Sequence, residues 1–315
     1  MYGKILVPLD GSNLSESVLP YVRALAQALK IQVELLHAID PEVISALVDP
    51  SSGRYADVVE VDMRRKGLEY LEPVAGSFPE ARAVSCSTVV DKPAAAIVQI
   101  AAANPATLVA MATHGRSGIQ RWLLGSVANT VIHMTTRPLL LLRSAQRLER
   151  RSVALLKKVI VPLDGSALAE QVLPHVVALV TKINMEVLLL QAYGLPSSVR
   201  HGSDGYVPNL GQLVKRMKED AQAYLDRVRG GPQLKGLSKI STLALEGEAA
   251  GHIIDIARKT PHSLVAMCTH GRSGMARVLL GSVTDRVVRH SGNPVLVIRA
   301  SSERQLTARQ LRASP

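Results

Sequence analysis

The strongest constraint on the fold of this chain is that its sequence repeats internally. Residues 4–12 (KILVPLDGS) recur as residues 158–166 (KVIVPLDGS), at an offset of 154. Residues 113–118 (THGRSG) recur as residues 269–274, at an offset of 156. A repeat this long indicates duplicated domains, because solenoid units run only about 20–50 residues. We therefore expect two homologous halves, with a two-residue length difference between the first motif and the second.

The length agrees with this interpretation, since 315 residues are about twice the commonest domain size. The segment 143–158 is strongly basic and holds one acid, Glu149, so it reads as the connection between the halves. Beyond Arg299 the chain is expected to be a frayed tail. The predicted organisation is domain 1 at residues 1–145, a basic linker at 146–156, domain 2 at 157–300 and the tail at 301–315.

Each half alternates short β-branched runs with longer helical patterns, which predicts βαβ units around a parallel sheet. Five strands and four helices per half favour a doubly wound α/β domain, in which ligands bind at the carboxyl ends of the strands. The predicted strands lie near residues 3–8, 31–39, 82–90, 107–112 and 138–143, and near 157–162, 184–192, 238–246, 263–268 and 294–299; the first-half helices lie near 14–30, 56–76, 93–104 and 126–136.

Two segments rich in Pro, Ser, Gly and Asp, residues 40–55 and 194–209, follow the second strand of each half. Such composition is typical of loops. We expect both to be loops that could fold over the carboxyl edge as lids.

Proline within a predicted central strand conflicts with strand pairing, because it removes a hydrogen-bond donor. If Pro8 and Pro162 stand where their strands leave the sheet, Asp10 and Asp164 lie just beyond the carboxyl edge. A carboxylate there could accept hydrogen bonds from a ribose hydroxyl or a base amino group. The alternative is an Asx turn or helix cap within Asp-Gly-Ser. The two interpretations stay open at this point.

The second motif places glycines after the fourth strand and again where a helix begins. His114-Gly-Arg-Ser-Gly118 is followed by Gly125 and Ser126. Glycines let the backbone approach a phosphate, and free amides at a helix start favour an anion. The alternative is that these residues are only turn formers and N-caps. The combination with a nearby Asp, present twice, favours a phosphate site.

Arginine and histidine side chains accompany the glycines. Arg116 and Arg272 could neutralise a triphosphate or could be solvated loop residues. His114 and His270 have no His, Cys or carboxylate at ligand spacing, so we expect them to order the loop and expect no metal site. No nucleophile with a local base is visible, so we expect no catalytic residues.

The motifs VPLDGS, MATHGRSG and LLGSV, in this order and spacing, resemble the universal stress protein family in its tandem, two-domain form. The resemblance covers residues 2–143 and 157–299. It implies a strand order of 3-2-1-4-5 and ATP held between the ends of strands one and four. It also implies self-association through the fifth strands, as a pseudo-dimer within one chain or as a homodimer.

The nucleotide motif of that family is Gly, two residues, Gly, nine residues, then Gly with Ser or Thr. Here Ala112 and Cys268 replace the first glycine, which adds a side chain where the backbone meets the ligand. By the resemblance, the residues that would hold adenine nucleotide are Pro8, Leu9, Asp10, Ala38, Met111, Ala112, His114, Gly115, Arg116, Gly118, Gly125, Ser126 and Val127, with Pro162, Leu163, Asp164, Ala192, Met267, Cys268, His270, Gly271, Arg272, Gly274, Gly281, Ser282 and Val283 in the second half.

Composition narrows the partners. Aromatic residues make up 3% of the chain. This low content argues against a protein that binds single-stranded nucleic acid or RNA by stacking the bases on aromatic side chains. No apolar run approaches the roughly 18 residues needed to span a bilayer. Two cysteines are too few for a disulfide framework, so a reducing cytoplasm is the expected compartment. The net charge of +11 leaves anionic partners open, whether nucleotides, nucleic acid or anionic lipid.

The leading hypothesis is a cytoplasmic stress-response protein that binds adenine nucleotide, ATP with or without Mg²⁺, in each half and acts as a regulatory binding module rather than an enzyme. One alternative is a slow ATPase, although no Walker-type lysine is visible. Another is a dimerisation scaffold whose domains no longer bind nucleotide. An adaptor for nucleic acid or a membrane surface has only the basic charge in its favour, so we expect neither partner.

Overall fold

A computed structural model describes residues 1–80, 83–113, 124–143, 151–194, 210–269 and 280–300. The chain divides into two compact units, Met1–Leu155 and Leu156–Pro315. Each unit is an α/β domain built on a five-stranded parallel sheet. The predicted fold class is confirmed. Pairing of the domains through their fifth strands stays a prediction.

The first unit has the strand order β3-β2-β1-β4-β5, as the family resemblance implied. Its central strands bury their middle residues on both faces, as expected for a sheet covered by helices on each side. The elements are β1 Lys4–Pro8, α1 Leu19–Leu29, β2 Gln32–Ile39, α2 Pro41–Leu47, α3 Ala56–Ala75, β3 Val84–Val90, α4 Pro93–Ala103, β4 Thr107–Ala112, α5 Ser126–Met134 and β5 Leu139–Leu142.

The second unit repeats this arrangement, with the strand order β8-β7-β6-β9-β10. Its elements are β6 Lys158–Pro162, α6 Ala167–Glu170, α7 Leu173–Ile183, β7 Glu186–Tyr193, α8 Leu210–Gly230, β8 Ile240–Glu246, α9 Ala249–Lys259, β9 Ser263–Cys268, α10 Ser282–His290 and β10 Val295–Ile298.

Both strand prolines stand at strand ends. Pro8 is the last residue of β1, where it still pairs in register with Leu36 of β2. On its other side, the pairing of β1 with β4 ends at Leu6 and Val109. The missing proline donor is therefore tolerated, because no ladder partner faces it from β4. Past Leu6 the two central strands separate, and this opens the carboxyl edge of the sheet between them.

Two predicted elements differ in the structure. The expected loop at residues 40–55 contains helix α2 and a 3-10 turn at Pro50–Ser52, so reading the whole segment as a loop was wrong. The helix begins there because Asp40 caps it through the amide of Glu42 and a proline occupies its first turn. The predicted helix at 14–30 is instead a 3-10 turn, Ser15–Val18, followed by α1.

The two-residue length difference lies between the third helix and third strand of each half. Tyr70 and Tyr224 of these helices bond to partners at the same sequence separation of 54. In the sheets, Val33 pairs with Val84, whereas Val187 pairs with Ile240. The offset therefore changes after α3, in the turn that precedes β3.

The last part of the connecting segment packs on the first unit. The guanidinium of Arg23 is 1% exposed and donates to the Ser152 carbonyl over 3.2 Å and to the Ser77 hydroxyl over 2.6 Å. The Ala154 amide donates to the Pro20 carbonyl over 2.9 Å, and Ala154 is buried. Residues 146–150 of the predicted linker and the predicted tail, 301–315, lie outside the described residues.

Candidate functional site

A cavity of about 350 Å³ opens at the carboxyl edge of the first sheet, where β1 and β4 separate. The loop after β1, the end of β2 and the start of α5 enclose it. Every described residue that the sequence assigned to this site lines the cavity: Pro8, Leu9, Asp10, Ala38, Met111, Ala112, Gly125, Ser126 and Val127.

The second unit has a cavity of about 310 Å³ at the equivalent place. The described residues expected there also line it: Pro162, Leu163, Asp164, Ala192, Met267, Cys268, Gly281, Ser282 and Val283. The duplication in sequence has therefore produced two cavities of similar size and lining.

The Asp-Gly-Ser motif forms a tight turn at the rim of each cavity. In the first unit, Oδ1 of Asp10 accepts from the Ser12 amide over 2.9 Å and from the Ser12 hydroxyl over 2.6 Å. In the second unit, Asp164 accepts from Ser166 over 3.0 and 2.6 Å in the same way. These are Asx turns, the structural interpretation left open above. The turn also fixes the carboxylate as part of the cavity lining.

The opposite side of each cavity is the start of a helix without a side-chain cap. Gly125 is the N-cap residue of α5, and no side chain of the described residues caps that helix. Its own amide donates to the Thr113 carbonyl over 2.7 Å, which joins the start of α5 to the end of β4. The amides of Ser126 and Val127 follow in the first turn, where a helix has no internal acceptors. These two amides, rather than that of Gly125, are suited to hold an anion.

Gly281 repeats this arrangement at the start of α10. Its amide donates to the Thr269 carbonyl over 2.8 Å, and no side chain of the described part of the chain caps the helix. Ser282 and Val283 then form the first turn and line the cavity. Both units therefore combine an uncapped helix start with an aspartate turn.

The two departures from the family motif stand at the ends of β4 and β9. Ala112 and Cys268 are each 7% exposed and line their cavities. The thiol of Cys268 is directed to the Ala169 carbonyl, to which it donates over 3.6 Å. Burial raises the pKa of this thiol to about 12. Cys268 is therefore a protonated, packed side chain that narrows the second cavity.

A histidine that sequence reasoning missed lines the first cavity. Nδ1 of His37 lies 2.9 Å from the Leu9 carbonyl, and because a carbonyl only accepts, Nδ1 carries the proton. The ring also meets Tyr70 edge-on, with 5.9 Å between centroids. His37 thus ties the end of β2 to the end of β1. In the second unit the equivalent residue is Gln191. Because the two halves differ at this position, the repeat did not indicate that His37 belongs to the site.

The ring of His37 needs the space left by a glycine. A Cβ placed on Gly67 of α3 would lie 2.8 Å from Cγ2 of Thr88 and 3.1 Å from Cδ2 of His37. The second unit has Ala221 at this position, opposite Gln191. The third helix and second strand of each unit are therefore matched to each other, with a different pair of residues in each half.

The predicted site also includes eight residues of the two glycine loops. His114, Gly115, Arg116 and Gly118, with His270, Gly271, Arg272 and Gly274, lie outside the described residues. Within the described part of the chain, no three His, Cys, Asp or Glu side chains cluster as metal ligands would. Among the same residues, no helix is both long and apolar enough to cross a membrane.

Fold and site together define a class: tandem α/β domains with a ligand cavity at the point where the strand order reverses. A family model for the universal stress protein family matches residues 1–143 and 156–299. The chain belongs to the universal stress protein family, with two such domains in tandem.

Individual relatives agree with the tandem organisation. A universal stress protein of Mycolicibacterium smegmatis is 24% identical over 299 residues, which cover 95% of this chain and 97% of that protein. A universal stress protein of Methanocaldococcus jannaschii is 31% identical over 150 residues, covering 48% of this chain and 86% of that protein. The crystal structure of a universal stress protein from Archaeoglobus fulgidus superposes with a TM-score of 0.64 at 20% identity, covering 95% of this chain and 98% of that one.

Proposed function

We propose that this universal stress protein binds an adenine nucleotide, ATP, in the carboxyl-edge cavity of each unit. The observation that carries the proposal is the duplicated pairing of an Asx-turn carboxylate with an uncapped helix start on opposite sides of one cavity. A cavity of about 350 Å³ falls within the range of small-ligand sites.

The two sides of the cavity suit the two ends of a nucleotide. Asp10 offers carboxylate oxygens, which accept hydrogen bonds from ribose hydroxyls. The first-turn amides of Ser126 and Val127 and the positive end of the α5 dipole favour phosphate. Between them, apolar residues such as Met111 and Ala38 line the space that a base would occupy. The low aromatic content is no obstacle, because such a site needs no stacking ring.

The second unit should bind more weakly than the first. Cys268 lines the second cavity where the first cavity has Ala112. A thiol adds volume close to the β9 end, where the phosphates would pass between strand and helix. Cys268→Gly should therefore improve ATP affinity more than Ala112→Gly does.

We propose a regulatory role in the cytoplasm rather than turnover, with Mg²⁺ accompanying the phosphates. Among the described residues, neither cavity lining contains a lysine. In this role, a partner would distinguish the nucleotide-bound protein from the nucleotide-free protein. The slow ATPase and the nucleotide-free scaffold are the alternatives that an experiment must separate.

The test is calorimetric titration of the full chain with ATP, with and without Mg²⁺. We expect two sites of unequal affinity. Asp10→Asn and Asp164→Asn should each weaken one site by about tenfold or more, since a bond to a charged group contributes roughly 1.5–3 kcal/mol. Asp49→Asn is the matched control, because Asp49 forms the same turn with Ser51 but does not line the cavity.

Absence of ATP binding at millimolar concentration would overturn the proposal in favour of the scaffold. Equal weakening by Asp49→Asn would show that the turn acts through stability rather than through contact with ligand. For the ATPase alternative, turnover that Asp10→Asn and Ser126→Ala leave unchanged would come from a contaminant. Turnover abolished by both variants would establish an enzyme.

A further inference from the structure

The second unit contains another cavity that the nucleotide proposal does not use. It has a volume of about 390 Å³ and lies between the end of β7 and the helix α8. Its lining includes Gln191 and Tyr193 from the strand and Asp220, Tyr224 and Arg227 from the helix. It borders the nucleotide cavity only at Ala192, because the turn after β6 stands between them.

The floor of this cavity carries a polar group that lacks a partner. Gln191 is 5% exposed, and its Oε1 atom makes no hydrogen bond to any described residue. An unpaired buried amide oxygen costs free energy that a bound donor would recover. The equivalent residue of the first unit, His37, is bonded to Leu9. At this position of the repeat, the unpaired oxygen therefore occurs in the second unit and not in the first.

The mouth of the cavity carries one negative and one positive charge. Asp220 and Arg227 are exposed and stand seven residues apart on α8, about 10 Å along the helix axis. Their neighbours are paired, since Arg229 binds Asp226 over 3.1 Å. Asp220 and Arg227 themselves form no ion pair with any described residue. The guanidinium of Arg227 rests over the ring of Tyr224, 5.3 Å from its centroid.

We propose that this cavity binds a small polar amino acid. The α-ammonium group would pair with Asp220 and the α-carboxylate with Arg227, so both mouth charges are matched. A side-chain donor, such as an amide NH₂, would reach the floor and bond to Oε1 of Gln191. A carboxamide side chain fits this arrangement well, because it supplies the donor without placing a charge in the buried end.

The charges disfavour other small ligands. A phosphate-bearing molecule would be attracted by Arg227 but repelled by Asp220. A simple cation would be attracted by Asp220 but repelled by Arg227. An apolar ligand would leave Gln191 unpaired. A zwitterion with a neutral donor satisfies all three groups at once.

The test is titration of the full chain with L-glutamine, with L-norleucine as the comparison because it keeps both α-groups and lacks the donor. We expect L-glutamine to bind, and L-norleucine to bind at least about tenfold more weakly. Gln191→Leu and Arg227→Ala should each weaken L-glutamine binding by a similar factor. Arg229→Ala is the control, since Arg229 lies nearby on α8 and outside the cavity lining.

Gln191→Leu should not lower the unfolding temperature, because it removes a buried amide whose oxygen has no partner among the described residues. Loss of binding in this variant therefore reports on contact with the ligand. No binding of L-glutamine at millimolar concentration would overturn the proposal. Equal affinity for L-norleucine would also overturn it, as would unchanged binding in Gln191→Leu. A crystal soaked with L-glutamine that shows only water in the cavity would overturn it as well.

Discussion

The hydroxyl of Tyr70 donates a hydrogen bond to Oε1 of Glu16 over 3.1 Å. This bond joins the third helix to the 3-10 turn that follows the aspartate loop, and Tyr224 and Glu170 repeat it in the second unit over 3.0 Å. Glu16 is 8% exposed, so its carboxylate depends on such partners. The pair supports the cavity rim from behind without lining it.

Removing this hydroxyl should destabilise the first unit. We expect Tyr70→Phe to lower the free energy of unfolding by about 1–3 kcal/mol, because a buried carboxylate loses a donor. Chemical denaturation measures the effect. The control is Tyr55→Phe, which removes the same atom from a residue that is 57% exposed. Equal effects of the two substitutions would show that the Glu16 contact contributes nothing.

The glycine beneath His37 should not tolerate a methyl group. Gly67→Ala places a Cβ 2.8 Å from Thr88, and overpacking of this kind costs about 1–3 kcal/mol. The helical propensity of alanine offsets about 1 kcal/mol of that. Gly211→Ala in α8, where a Cβ meets nothing within 4 Å, should instead be stabilising. Adding Thr88→Ser to Gly67→Ala should restore stability; failure to do so would place the strain elsewhere.

The two cysteines should differ in reactivity. Burial raises the pKa of both thiols, that of Cys268 to about 12. Cys86 is half-buried on the edge strand β3, whereas Cys268 is 7% exposed. At pH 8 we expect iodoacetamide to label Cys268 at least about tenfold more slowly than Cys86, as measured by peptide mass spectrometry. In urea the difference should disappear. Faster labelling of Cys268 in the native protein would contradict its packed environment.

A half-buried histidine should make the second unit sensitive to mild acid. Burial lowers the pKa of His175 from 6.5 to about 4. Between these values the unfolded chain binds a proton that the folded chain does not, so stability falls as the pH drops from about 6.5 to about 4. Urea unfolding at several pH values should show this loss, and His175→Gln should reduce it. An identical pH profile in the variant would exclude His175 as the cause.

The sequence predicted the strands and the described cavity residues because the motifs that mark them occur twice. A proline and an aspartate at the same place in both halves located the end of β1 and of β6. Helix α2 was missed although Asp40 and Pro41 form a helix-start signal, because the surrounding residues have the composition of a loop. Whether Asp40 and Pro41 start a helix depends on the backbone geometry, which amino-acid composition does not determine.

The residues that differ between the halves could not be predicted from the repeat. His37 and Gln191 occupy equivalent positions, but one is bonded and the other is left with an unpaired oxygen. The space for the His37 ring depends on Gly67 of the facing helix, and therefore on packing between segments far apart in sequence. The positions that differ between the two halves therefore give each unit properties of its own.

The buried contacts of Arg23 determine where the first half of this protein can be separated from the second. Its guanidinium donates to Ser152, which lies beyond the last strand of the first sheet, and the second unit has Val177 at the equivalent position. A fragment that ends at residue 143 would leave a buried cation without one of its acceptors, whereas a fragment that ends at residue 155 would keep it. The duplicated halves are therefore not interchangeable: only the first keeps a buried cation satisfied by an acceptor that lies beyond its last strand.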